Sequence, residues 1–74
     1  MTLDQMKPKT RGVVRRVSAT GALGQRLRDL GVYPGLPVRM IRNAPLKDPM
    51  EVEVDGTYLS IRHEEARFVE VDPQ

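Results

Sequence analysis

The chain has 74 residues, with 12 Lys and Arg against 10 Asp and Glu, one histidine and no cysteine. A chain of this length forms one domain with a single small core, burying about 60% of the surface its unfolded form exposes, and leaves little room for an enclosed active-site cavity. The absence of cysteine excludes disulfides, thiolate metal centres and cysteine nucleophiles, and no apolar run approaches the ~20 residues of a membrane helix.

Small disulfide-free domains are typical of the cytosol. The opening "MTLDQMKPKT" carries an acid and no apolar stretch, which argues against a signal peptide. Residues 1–9 read as a lead-in and Asp72–Gln74 as a tail. The formal charge is +2, but the signs are segregated. Basic residues crowd Lys7–Arg42, and eight of the acids fall in Asp48–Asp72. That asymmetry predicts one basic and one acidic face, an arrangement suited to docking.

In chain order, "TRGVVRRV" (Thr10–Val17) reads as a strand whose valines do not alternate cleanly, as a bulge or burial on both faces would produce. "SATGALGQRLRDLG" reads as a short helix. Leu23, Leu27 and Leu30 recur at i, i+4 and i+7, Ser18 or Thr20 offers a cap, and Gly31 suits the left-handed position past its end. Pro34-Gly35 then marks a tight turn. "LPVRMIR" alternates with Leu36, Val38 and Met40 inward, and "APLKDP" is a loop. "MEVEV" alternates without error, and Asp55-Gly56 is the preferred pair for a two-residue hairpin. With those two at the turn, Val52 faces Leu59, Met50 faces Ile61 and Glu53 faces Tyr58. "RHEEA" reads as a helical turn before a last strand, "RFVEV", with Val69 and Val71 inward. Five short strands and one helix favour a small closed barrel, because closure removes unpaired edges.

Several residue groups invite chemistry. His63, Glu64 and Glu65 contain metal-ligand types, but a site needs three or four converging donors and neighbouring residues rarely converge; acids at a helix start explain them more simply. Arg11, Arg15, Arg16, Arg26, Arg28, Arg39 and Arg42 could meet phosphates, yet Tyr33, Tyr58 and Phe68 are the only aromatics and the net charge is small, so nucleic acid is disfavoured. Neither glycine-containing stretch, "TGALG" or "VDGTY", forms a phosphate loop, and no spacing supports a catalytic triad. The reading is not an enzyme, with no cofactor and no metal site. The leucine stripe is first of all core. A short helix rarely covers a barrel end completely, so part of its face is a candidate docking groove with Tyr33 and Leu36 on the rim. The candidate partner-binding set is Leu23, Arg26, Leu27, Leu30, Tyr33 and Leu36. A partly open groove also allows weak homo-oligomers.

"LGVYPG", the "APLKDP" loop, the "VDGTYLSIR" hairpin and "EEA" before a valine-rich strand, in this order, resemble the ferrous-iron transport protein A (FeoA) family, and "MKPKTRGVVRRV" extends the likeness to nearly the whole chain. The resemblance implies a mainly β fold, an SH3-like β-barrel of about five strands with a short α-helix after the first. It also implies a cytoplasmic accessory role without catalytic residues, in contact with the FeoB membrane ferrous-iron transporter and its cytosolic GTP-binding domain, with no direct membrane insertion. Alternative readings are a nucleic-acid- or ribosome-associated SH3-like module and a stand-alone barrel of the metal-dependent repressor type. Lys9 and Lys47 stand where the family commonly has glycine. Lysine tolerates a left-handed backbone less well than glycine, so these turns either change shape or hold a strained lysine.

Overall fold

The computed structural model describes residues 1–74. Five antiparallel strands form one sheet in the order β4-β3-β2-β1-β5: β1 is Arg11–Val17, β2 Pro37–Asn43, β3 Met50–Val54, β4 Thr57–Ile61 and β5 Val69–Pro73. Helix α1 (Gly21–Asp29) follows β1, the single turn α2 (His63–Ala66) links β4 to β5, and a 3-10 turn spans Leu3–Gln5. The expected alternation produces this sheet. Val14, Val38, Met40, Met50, Val52, Val54, Ile61, Val69 and Val71 are all buried and share one core with Leu27 and Val32.

The hairpin has the expected register, with Met50 opposite Ile61, Val52 opposite Leu59 and Glu53 opposite Tyr58. Positive φ at Asp55 (48°) and Gly56 (85°) gives the mirror-image turn that matches strand twist. The imperfect alternation of β1 is a bulge, where its register against β5 shifts between Val14 and Arg16. A second bulge, between Met40 and Arg42 in β2, had no counterpart in the alternation of "LPVRMIR".

Three expectations need correction. The strands do not close through hydrogen bonds, for β4 and β5 end the sheet with no ladder between them. Second, residues 1–9 are no loose lead-in. Leu3 is fully buried and Met6 nearly so, Thr2 bridges Glu70, and the Val71 amide donates to the Met1 carbonyl at 2.9 Å. A core this small recruits apolar side chains from any segment that can lie over its open side, and these two had no periodic neighbours to flag them. Likewise the presumed tail continues β5 to Pro73, and the Gln74 amide donates to the Arg11 carbonyl at 2.9 Å.

Third, the two signs of charge do not separate into faces. Arg15 pairs with Asp72, Arg16 with Glu70, Arg26 with Glu65, Arg39 with Glu53 and Arg42 with Glu51. Antiparallel pairing lays the basic strands β1 and β2 beside the acidic strands β5 and β3, so opposite charges in distant segments become cross-strand neighbours.

Lys9 and Lys47 keep the glycine-like turn geometry, with φ of 69° and 71°. Replacing Lys47 by glycine relieves that strain but loosens the unfolded chain, so Lys47→Gly is expected to raise stability by about 0.5–1 kcal/mol, read as a higher urea midpoint. Leu3→Ala empties a core position and is expected to cost about 2–4 kcal/mol, whereas removal of a loose lead-in residue would leave the same unfolding curve unchanged.

Candidate docking surface on the helix and its corner

The segment from α1 into β2 is built by hydrogen bonds that the local sequence specifies. Past the helix end, the Gly31 amide donates to the Arg28 carbonyl (2.9 Å) and the Val32 amide to the Leu27 carbonyl (3.0 Å). Gly31 has φ of 96°. This is the double-bonded stop that terminates many helices, and its hydrophobic contact is Val32 with Leu27, both fully buried. Pro34 and Gly35 (φ 90°) then turn the chain, with the Leu36 amide approaching the Tyr33 carbonyl at 3.4 Å. The Gly35 amide donates to the Val14 carbonyl (2.7 Å), and the Val14 amide donates to the Leu36 carbonyl (2.9 Å). The corner is thereby stitched to β1.

The N-terminal half of α1 is held by a close approach. A Cβ on Gly24 would sit 2.6 Å from the Ala19 carbonyl oxygen, so glycine inside the helix permits backbone contact that any other residue would force apart. Thr20 occupies the N-cap but makes no side-chain cap bond.

The six candidate residues divide by exposure. Leu27 is fully buried, so it supports the surface from beneath and cannot touch a partner. Leu23, Leu30 and Leu36 are half-buried against the core, and Tyr33 is 47% exposed. Arg26 reaches solvent but its Nε lies 2.7 Å from Glu65, tying α1 to α2. Glu65 also accepts from the Arg62 amide. The Arg26 hydrogen bond holds the Glu65 carboxyl below the ordinary glutamate range, against the opposing effect of burial. One residue that periodicity could not flag is Leu46, 91% exposed at the tip of the "APLKDP" loop; its only signal was an apolar side chain between two prolines.

The histidine-acid group does not converge. His63 Nδ1 and its amide both meet Asp48 Oδ1 at 2.9 Å, Glu65 turns to Arg26, and Glu64 stays in solvent. The His63 amide and then its ring hold the Asp48 carboxyl below the usual carboxylate range. No group of three or more His, Asp or Glu side chains is arranged to hold a metal ion. Of the candidate basic residues, Arg11 and Arg28 have no acidic partner; Arg11 lines a shallow cleft with Lys9, Arg39, Met40 and Ile41. No helix is long and apolar enough to cross a membrane.

A small antiparallel sheet folded around one core, with a helix inserted after its first strand, defines the class of SH3-like domains. The comparisons agree. The chain has the fold of the FeoA protein of Stenotrophomonas maltophilia complexed with zinc, described as a prokaryotic SH3 domain protein, at a TM-score of 0.77 and 37% identity over 97% of this chain and 89% of that one. The FeoA protein of Chlorobium tepidum matches at 0.89 and 38%, over 99% and 70%. The FeoA domain model matches residues 1–73, and the chain belongs to this family, which is linked to ferrous-iron transport. A curated relative, the Fe(2+) transport protein A/Fe(2+) transporter FeoB fusion protein of Porphyromonas gingivalis (strain ATCC BAA-308 / W83), is 28% identical over 72 residues, 97% of this chain but 8% of that protein.

The lowered Glu65 value sets a direction for pH. Its folded form favours the carboxylate, so the stability it adds is present above the ordinary glutamate range and is lost as pH falls through the folded value. Between about pH 6 and about pH 3, the wild-type unfolding midpoint is expected to fall further than that of Glu65→Gln; Asp48 contributes to both and leaves a residual slope.

Proposed function

We propose that this chain is a cytosolic accessory protein of ferrous-iron uptake that docks on the FeoB-type membrane transporter and modulates its GTP-driven activity by protein–protein contact. The observation that carries this reading is the P. gingivalis relative, in which an FeoA-like segment and the transporter are one polypeptide. Covalent fusion keeps two segments at high effective concentration, which favours partners that work in contact. A binding role also suits a domain with little room for an enclosed active-site cavity.

The docking surface is the α1 face and corner. Leu23, Leu30 and Leu36 supply half-buried apolar area, Tyr33 an exposed aromatic, and Arg26 a guanidinium at the margin that is already paired with Glu65. Aromatic and arginine side chains are the commonest anchors of protein interfaces, and a corner fixed by backbone hydrogen bonds loses little entropy when it is bound.

Titration against the detergent-solubilised transporter, with bulk RNA at the same salt as control, tests the reading. Saturable binding to the transporter is expected, weakened at least about tenfold by Tyr33→Glu. Tyr33 is the variant of choice because its exposure spares the fold, whereas Leu23→Asp must first be checked for folding. Binding to RNA alone would sink the proposal and move the site to Lys7, Lys9, Arg11 and Arg28.

A further inference from the structure

We propose that the free edge of β4 is a self-pairing surface, on which a second copy of this chain adds its own β4 antiparallel across a twofold axis through Leu59. The two ends of the sheet are treated differently. The β5 edge is covered by the chain's own start, through the Thr2–Glu70 bridge and the Val71-to-Met1 hydrogen bond. β4 pairs only with β3.

The register fixes which groups the open edge offers. In a two-residue hairpin the pair beside the turn, here Val54 and Thr57, exchanges both backbone bonds, and every second pair does the same. Val52–Leu59 and Met50–Ile61 are therefore bonded pairs, and the amides and carbonyls of Tyr58 and Ser60 point outward. No hydrogen bond outside the strands reaches them. The usual deterrents to edge pairing are missing as well. Thr57–Ile61 contains no charge, proline or glycine, and its ladder with β3 has no bulge.

Charge selects a second copy as the occupant. When Tyr58 pairs with Ser60 of the other copy, Leu59 meets Leu59 on the axis, Thr57 meets Ile61 and Gly56 meets Arg62. Asp55, which has no ion-pair partner in its own chain, then lies beside Arg62 of the second copy, an exposed guanidinium that reaches its own Asp48 at 3.6 Å and keeps further N–H donors for a second carboxylate. The twofold repeats this at the other end, as a self-complementary interface requires. The surface is separate from the α1 corner, so it stands or falls independently of docking to a transporter.

Sedimentation of the full chain up to about 1 mM should show a reversible dimer that weakens with added salt. Ser60→Pro removes an outward amide that no intrachain bond uses, a position where an edge strand tolerates proline. It should raise the dissociation constant at least about tenfold while circular dichroism stays unchanged. The chain lacks cysteine, so engineered thiols report the register. Facing Cα atoms about 4.5 Å apart in a non-hydrogen-bonded pair lie within disulfide reach. Under mild oxidation Leu59→Cys should cross-link at least about tenfold faster than Thr57→Cys. Leu59 is half-buried, so exposed positions supply a second reading: in a mixture of Tyr58→Cys and Ser60→Cys chains the mixed disulfide should outpace both like-with-like products. A wild-type chain that stays monomeric throughout, or cysteine variants that cross-link at equal rates, would overturn the proposal.

Discussion

The hydrogen bonds between the corner and β1 are the constraint on which the remaining structure depends. Gly35 donates to Val14, and Val14 donates to Leu36, so the corner that follows the helix stop also begins the pairing of β1 with β2. The helix cannot shift without pulling that ladder. Val32 and Leu27, joined at the helix stop, are both fully buried, which makes the local backbone motif and the core one unit. Gly24 against the Ala19 carbonyl fixes the other end of the helix. With α1 held at both ends, its outer face is presented at a definite angle, a requirement for any surface that must be recognised.

The ion pairs show how sequence order can mislead about surfaces. Basic and acidic segments far apart in sequence become neighbours because β1 and β2 pair antiparallel with β5 and β3. Each exposed pair contributes little to stability. Their larger consequence is neutralisation of Arg15, Arg16, Arg26, Arg39 and Arg42 within the molecule. What remains without an acidic partner is the short basic run of Lys7, Lys9 and Arg11 and the separate Arg28, Lys47 and Arg67, together with apolar exposure at Tyr33, Leu46 and Tyr58. Phosphate binding depends on many uncompensated cations, and five of the seven candidate arginines are compensated within the chain.

The two strained lysines illustrate how the fold outranks local preference. Lys9 and Lys47 adopt φ near +70°, a region that costs a non-glycine residue about 1–3 kcal/mol. The neighbouring geometry explains why the cost is tolerated. The Lys9 amide donates to the Met40 carbonyl at 2.7 Å, and the Lys47 amide to the Ala44 carbonyl at 2.7 Å. Changing either backbone angle would break a bond that anchors a strand entry or closes a loop.

Local chemistry by itself determined the hairpin, the helix stop, the Pro34-Gly35 turn and the inward valines, because each depends on side-chain period or on a backbone angle that few residues adopt. The candidate surface was legible to the same extent: the stripe of Leu23, Leu27 and Leu30 and the corner at Tyr33 and Leu36 could be named in advance. Tertiary structure alone decided which of them are available. Leu27 is buried while Tyr33 is exposed, and Arg26 is bound to Glu65, because these outcomes depend on β1, β2 and α2 arriving from elsewhere in the chain. Packing also drew Leu3 and Met6 into the core, covered the β5 edge and left β4 open. Such features arise from contacts between residues distant in sequence, which periodicity along a single segment does not record.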